Sequence, residues 1–326
     1  MTILVANNHL INSGGSETFT YTLIKELIRR KYDVEYYTLI KGEFSKKMEI
    51  ELGVNFKSKK KYDLILANHN SCVTALVGCG FIIQTCHGIF PDLEQPSPCA
   101  NFHVSISQEV QNHLAMKNFI SVVILNGIDT TKFYPKKEIN NNISNVLSLC
   151  QSNEANNFIK KNCEKLNINF NFINKNLNPV WDLVELINEA DLVIGLGRSV
   201  YEAMACGRPV LIYDHREYSE SFADGYITNK LASSLVNNCS GRYYKIKLTD
   251  EMIRKEILKY DKKDGEILRQ FIIDNMDIKI AVDKYISLFY DLRNNNKFNK
   301  INFFLKFFQK QFYIIIIKKF YNFFKI

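Results

Sequence analysis

Apolar residues along this chain fall into two textures. In one they form short unbroken runs, each stopped by glycine or by a polar turn; in the other they recur every three or four positions. Short runs alternating with helical periods predict an α/β fold built on parallel sheet. Thr2–Asn8 reads as the first strand, Asn12-Ser13-Gly14-Gly15-Ser16-Glu17 as a turn, and the stretch to about Arg30 as a helix burying Phe19, Leu23, Leu27 and Ile28. Further strands are predicted at Val34–Leu39, Tyr62–Ala67, Phe81–Thr85, Phe102–Ser107 and Ser121–Leu125, with a helix from residue 108 through Leu114. Residues 41–61 are lysine-rich and predict a loop with a short helix. After a Lys- and Asn-rich stretch at 134–144 the alternation resumes. Strands are predicted at Val146–Leu149, Ile168–Ile173, Leu192–Ile194 and Val210–Tyr213, with a helix at Trp181–Asn188. Beyond Thr249 the chain is helical, ending with an amphipathic stretch from Ile278 to Leu292.

The densest chemistry lies between Ala190 and Asp214, a strand, turn, helix, turn, strand unit. Ser199 is placed to cap the helix with Glu202 three residues on, a capping-box spacing, and Gly207 and Pro209 end it. Gly195, Gly197, Arg198 and Ser199 precede the helix, where free N–H groups and the positive end of the helix dipole favour a phosphate. Arg198 can add a bidentate cation or stand as a surface charge. Glu202 can accept hydrogen bonds from sugar hydroxyls or serve only the cap.

Glu202-Ala203-Met204-Ala205-Cys206-Gly207-Arg208-Pro209-Val210 resembles the Glu-Ala-Met-Ala-x-Gly-x-Pro-Val signature of nucleotide-sugar glycosyltransferases of GT-B architecture, most of all the retaining group called family four. The resemblance implies two Rossmann-like domains facing a central cleft, with Glu202 on the donor ribose. Other stretches fit it. Gly14-Gly15 stands where that family faces the donor diphosphate. His87-Gly88 resembles the motif whose histidine reaches the donor or acceptor sugar, at a strand end where open α/β sheets bind ligands. Ile106-Ser107-Gln108-Glu109-Val110 resembles its Val-Ser-x-Glu-Val element, and Asn126-Gly127-Ile128-Asp129 its Asn-Gly-Val-Asp turn into the interdomain linker. Two positions depart. A glutamate eight residues before Glu202 is replaced by Ile194, and the Gly-Arg and lysine of the phosphate clamp are replaced by Cys150-Gln151-Ser152-Asn153-Glu154, with Lys160 and Lys161 farther on. Arg198 is the expected substitute.

The expected organisation is an acceptor-side domain over 1–135, a donor domain over 136–277, a helix at 278–293 crossing back to the first, and a tail at 294–326. The expected site is His87 as the catalytic candidate, with Gly14, Gly15, Gly197, Arg198, Ser199 and Glu202 binding the donor. Asp-x-Asp is absent, and neither metal nor cofactor is expected.

Charge separates tail from body. Of the net +8, seven charges are lysines in residues 294–326, which hold no acid, so the body carries only +1. Nucleic-acid binding, which favours a basic groove, is not expected. The tail interleaves eleven aromatics with those lysines, and its longest apolar run, Phe312–Ile317, is far below the ~20 residues of a membrane span. Such a segment is expected to lie at an anionic membrane surface, with a partner helix or a poorly ordered end as the alternatives. No leader pattern precedes the first strand and no Cys-x-x-Cys occurs, as in a cytoplasmic protein with free thiols. The implied activity is transfer of a sugar from a nucleotide-diphosphate sugar to a glycan or lipid-linked acceptor. A non-catalytic subunit of the same fold is the alternative, and a nicotinamide enzyme is disfavoured because Gly-x-Gly-x-x-Gly is missing.

Overall fold

A computed structural model describes residues 1–294 except 176, 179, 217–219 and 228–229. The expected membrane-facing stretch 297–326 lies outside the described residues. The first sheet holds β1 (Thr2–Leu10), β2 (Asp33–Lys41), β3 (Asn55–Phe56), β4 (Tyr62–Ala67), β5 (Gly80–Cys86), β6 (Phe102–Ser105) and β7 (Ser121–Val123). Their order is β3-β2-β1-β4-β5-β6-β7, and every pair is parallel. The second holds β8 (Asn145–Ser148), β9 (Asn169–Phe172), β10 (Leu192–Gly195), β11 (Val210–Tyr213) and β12 (Ala223–Ile227), in the order β12-β11-β10-β8-β9. Only β12 runs antiparallel in it.

Both sheets are covered on both faces, which is why their strands read as continuous apolar runs. On one face of the first, Ile3, Val5, Leu64, Leu66, Ile83 and Val104 meet Phe19, Leu23 and Leu27 of α1 (Gly15–Arg29). On the other, Leu4, Ala6, Ile65 and Ala67 meet Cys72 and Val73 of α3 (Asn70–Ala75). Between these helices in sequence lies α2 (Glu43–Leu52), a firmer helix than the polar stretch 41–61 suggests, anchored by buried Phe44 and Met48. Ser107 caps α4 (Gln108–Met116) by accepting from the Val110 amide.

The second sheet packs one face on α5 (Asn153–Lys165), through Ala155, Ile159 and Cys163. Its other face meets α6 (Val184–Glu189) through Val184 and Ile187, α7 (Arg198–Ala205) through Val200 and Met204, and α10 (Lys262–Met276) through Leu268 and Ile272. Two more helices, α8 (Leu231–Leu235) and α9 (Asp250–Ile257), follow β12. The crossing of α7 and α10 is at backbone contact: a β-carbon on Gly265 would lie 2.1 Å from the Gly207 carbonyl oxygen. No side chain fits there, so glycine sits within the helix, near its start, despite its poor propensity.

The last helix, α11 (Ile278–Asn294), does not stay with the second sheet. Its Ile278, Val282, Tyr285 and Phe289 enter the core between α1 and the first sheet, and Tyr285 Oη lies 2.8 Å from Thr85 Oγ1. Each apolar side chain buried this way contributes ~1.5–3 kcal/mol. The turn point is a short bridge: Ile128 donates to the Met276 carbonyl, and Ile278 donates back to the Ile128 carbonyl.

Candidate functional site

An open parallel sheet opens a crevice where its strand order reverses, at the carboxyl ends of the strands. In the first sheet that point lies between β1 and β4, in the second between β8 and β10. The two crevices face each other across a cavity of about 310 Å³. Ser13, Gly14, Gly15 and Thr18 line it from the first side; Leu149, Gln151, Leu196, Arg198, Ser199 and Glu202 line it from the second.

Gly197 shapes the second wall without lining it. Its φ of +57° is left-handed, a conformation that a side chain would strain. Helix α7 therefore starts abruptly, and its first turn borders the cavity, with the Arg198 and Ser199 N–H groups lacking partners within the helix while the Val200 N–H donates to the Gly197 carbonyl. The expected capping box does not form. Gly197 takes the N-cap position, one residue pair earlier than the Ser199 spacing suggests, and Ser199 Oγ donates to the Leu196 carbonyl at 2.9 Å. Glu202 is thereby freed from the backbone and bonded to Arg198 instead, whose Nε donates to Glu202 Oε1 at 2.9 Å.

Both side chains of this pair are only 8% exposed. The Arg198 guanidinium also donates to the Gly127 carbonyl at 3.0 Å and to Thr22 Oγ1 at 3.2 Å, so it ties α7 to the linker and to α1. Burial lowers the Arg198 pKa; burial likewise raises the Glu202 carboxyl, and the neighbouring guanidinium offsets only part of that. Arg198 thus reads first as the counter-ion and orienter of Glu202, with two of its five N–H groups left for a ligand.

His87 follows β5 and is set back from the cavity wall. Its Nε2 lies 3.2 Å from Asn68 Oδ1 and its ring meets Phe19 edge-on at 5.3 Å. Burial, helped by His69 and the Arg198 charge, pulls its pKa down to about 3, so the imidazole is neutral at pH 7.

Several residues at the cavity lie outside the Glu202–Val210 signature. Trp181, expected as the first residue of the helix Trp181–Asn188, instead lies ahead of α6 and packs across the cleft, 4.7 Å from Phe44 and 5.8 Å from Tyr21. Lys47 Nζ sits 3.7 Å from its ring centre. Asp129 pairs with Lys25 at 2.7 Å, Lys132 with Asp182 at 3.5 Å and Arg216 with Asp214 at 2.5 Å. Gln151, at the position of the missing clamp, holds the Lys175 amide through Oε1 at 2.9 Å, and Lys175 lines the cavity. Lys160 and Lys161 lie on α5 and pair with Glu164 and Asp250, away from the cleft. Among the described residues, no group of three His, Cys, Asp or Glu side chains is placed to hold a metal ion.

No protein-family model and no curated protein sequence matches this chain. Solved structures do. A glycosyltransferase from Rickettsia africae aligns at 16% identity over 90% of this chain and 99% of its own, with a TM-score of 0.55. An α-glucosyltransferase in complex with UDP and DNA aligns at 11% identity over 89% and 99%, with a TM-score of 0.56. The catalytic domain of Arabidopsis thaliana starch synthase IV, bound to ADP and acarbose, aligns at 10% identity over 89% and 98%, with a TM-score of 0.53. At these identities the likeness is one of fold, and the fold is that of the GT-B glycosyltransferases, two Rossmann-like sheets across one cleft.

Proposed function

We propose that the chain is a glycosyltransferase that binds a nucleotide-diphosphate sugar in the cleft and transfers the sugar to a glycan or lipid-linked acceptor. The observation that carries this reading is Glu202, a buried carboxylate held by Arg198 inside the cavity where both sheets reverse their strand order. In that position it accepts hydrogen bonds from the ribose hydroxyls. Ser199 and the first turn of α7 face the diphosphate on one side, and Gly14 and Gly15 face it on the other. Positive partial charge at the helix start stabilises the leaving diphosphate without a metal, and transfer retains the anomeric configuration, as the family resemblance implies. His87, neutral at the end of β5, serves the sugar side. That similar folds hold UDP and ADP supports the nucleotide part.

A ligand that binds only the folded state raises stability by ~2.7 kcal/mol at a concentration of a hundred times its Kd. Melting is therefore expected to shift upward with one or more of UDP, ADP, GDP, CDP and their sugars. A chain that shifts with none of them is not a nucleotide-sugar enzyme. The second reading, a non-catalytic subunit of the same fold, is favoured by Ile194, which is fully buried where the family resemblance implies a glutamate. A shift on nucleotide without hydrolysis or transfer of any donor supports that reading.

The tail adds a location. Each lysine near an anionic surface contributes ~1 kcal/mol, weakened by salt. The aromatics add an apolar contribution that salt does not screen. The full chain is expected to sediment with anionic vesicles, and a chain ending at Arg293 to stay in solution. Identical behaviour of the two would assign the tail to a protein partner. Among the described residues, no helix is long and apolar enough to cross a membrane.

A further inference from the structure

A pair of carboxyls on the first-sheet side of the cleft belongs to none of the roles above. Glu17, in the first turn of α1, is buried, and its Oε1 lies 3.1 Å from Nε2 of His9 in β1. Glu94 closes a 3₁₀ turn, Asp92–Glu94, after β5. It is half-buried, and its carboxyl has no hydrogen-bond or ion-pair partner among the described residues.

Two glycines make room for this pair. Gly14 is extended, at φ −158°, and Gly88 is not among the glycines at positive φ, so neither is required by backbone conformation. A β-carbon on Gly14 would lie 2.3 Å from Glu17 Oε2, and one on Gly88 would lie 2.3 Å from Glu94 Oε2. The Gly-Gly and His-Gly turns thus each seat a carboxyl at the strand ends beside the β1/β4 reversal.

The surroundings are polar but poor in cations. His9 stacks on His69 at 6.0 Å, and His69 Nδ1 accepts from the Asn8 amide at 3.1 Å. Burial holds His69 at about 4 and His87 at about 3, so both rings are neutral at pH 7. Burial, reinforced by the Glu17 charge, raises Glu94 to about 7. Burial also raises Glu17, with His9 and the distant Lys175 pulling the other way. Beneath them Asn7, fully buried on the same face of β1 as His9, leaves its Nδ2 without a partner among the described residues.

We propose that Glu94, with Glu17 and His9, forms the acceptor subsite and binds the hydroxyls of an uncharged sugar. The proposal rests on the glycosyltransferase reading. Two carboxyls, beside the neutral rings of His69 and His87, offer acceptors to hydroxyl donors, whereas a carboxylate or phosphate on the acceptor would be repelled. Glu17 lies against Gly14, which lines the donor cavity, so a sugar held here lies next to the donor. Hydrogen bonds to an ionised carboxylate are roughly twice as strong as neutral ones, so binding strengthens as Glu94 ionises between pH 6 and pH 8.

The test is saturation-transfer NMR on the full chain, with and without a saturating nucleoside diphosphate. The probes are the methyl glycosides of glucose, galactose and N-acetylglucosamine, and methyl glucuronoside as the anionic control. At least one neutral glycoside is expected to bind and the glucuronoside not. Glu94→Ala and Gly88→Ala are expected to weaken binding at least fivefold with nucleotide affinity unchanged. Glu94→Gln should keep the fold and bind, but without the rise between pH 6 and pH 8. Wild-type affinity in Glu94→Ala, equal binding of the glucuronoside, or no glycoside binding while nucleotide binds would each overturn the subsite. Glycoside binding without any nucleotide binding would instead overturn the glycosyltransferase reading and leave the subsite in place.

Discussion

Arg198→Ala is expected to cost the protein ~3–5 kcal/mol of stability, because it leaves a buried carboxylate without its partner. Glu202 is buried, and burial already raises its pKa with the guanidinium present. The substitution also removes the donors to the Gly127 carbonyl and Thr22 that tie α7 to the first domain. Nucleotide affinity should fall tenfold or more, since Glu202 loses its orientation and the cleft a cation. Urea unfolding and calorimetric titration with UDP or ADP read the two effects separately. The double variant Arg198→Met, Glu202→Leu should recover much of the stability and none of the binding, because no charge is then buried alone. A single variant as stable as wild type would mean that the Glu202 carboxyl does not depend on Arg198.

Glu202→Gln should separate recognition from scaffold. Glutamine keeps the shape and still accepts from Arg198 Nε, so the stability loss should be smaller than for Arg198→Ala. A hydrogen bond to a charged group contributes ~1.5–3 kcal/mol, so exchanging the carboxylate for an amide should weaken a ribonucleotide tenfold or more. The decisive comparison is with 2′- and 3′-deoxynucleotides. Wild type should prefer the ribose form, and the variant should discriminate much less. If discrimination is the same in both, Glu202 is only the counter-ion of Arg198, and the ribose contact must be sought among the other cavity residues, Asp129 and Ser199 first.

Local pattern carried most of the elements. Tyr62–Ala67 and Val210–Tyr213 are read to the residue because a strand covered on both faces is apolar along nearly all its length, broken here only by the exposed Asp63. Other elements were hidden. α5 buries Ala155, Ile159 and Cys163 at every fourth position under a Ser152 cap, but its remaining residues are so rich in Asn and Lys that the stripe is faint. β12 has Asp224 and Gly225 at its centre, and a polar pair there reads as a turn. In the structure Ser234 Oγ donates to the Asp224 carboxylate, and the Tyr243 and Tyr244 amides donate to its other oxygen, which no local pattern foretells.

The chain by itself determined the alternation of strands and helices, the glycine turns at the strand ends, and the strand–turn–helix stretch that carries Glu202 one turn into its helix. These depend on residues a few positions apart, joined by backbone hydrogen bonding and by one buried face. Tertiary structure decided what those residues touch. Arg198 reaches Glu202 within its own helix, yet also Gly127 and Thr22, 71 and 176 positions away. Trp181 leaves its helix pattern because Phe44 and Tyr21 offer an aromatic wall across the cleft. Glu17 and Glu94 come together only because β1 and β5 flank the same central strand and end on the same side. Contacts between distant segments depend on how whole sheets pack, and sheet packing is set by the summed burial of many side chains rather than by any local run of residues.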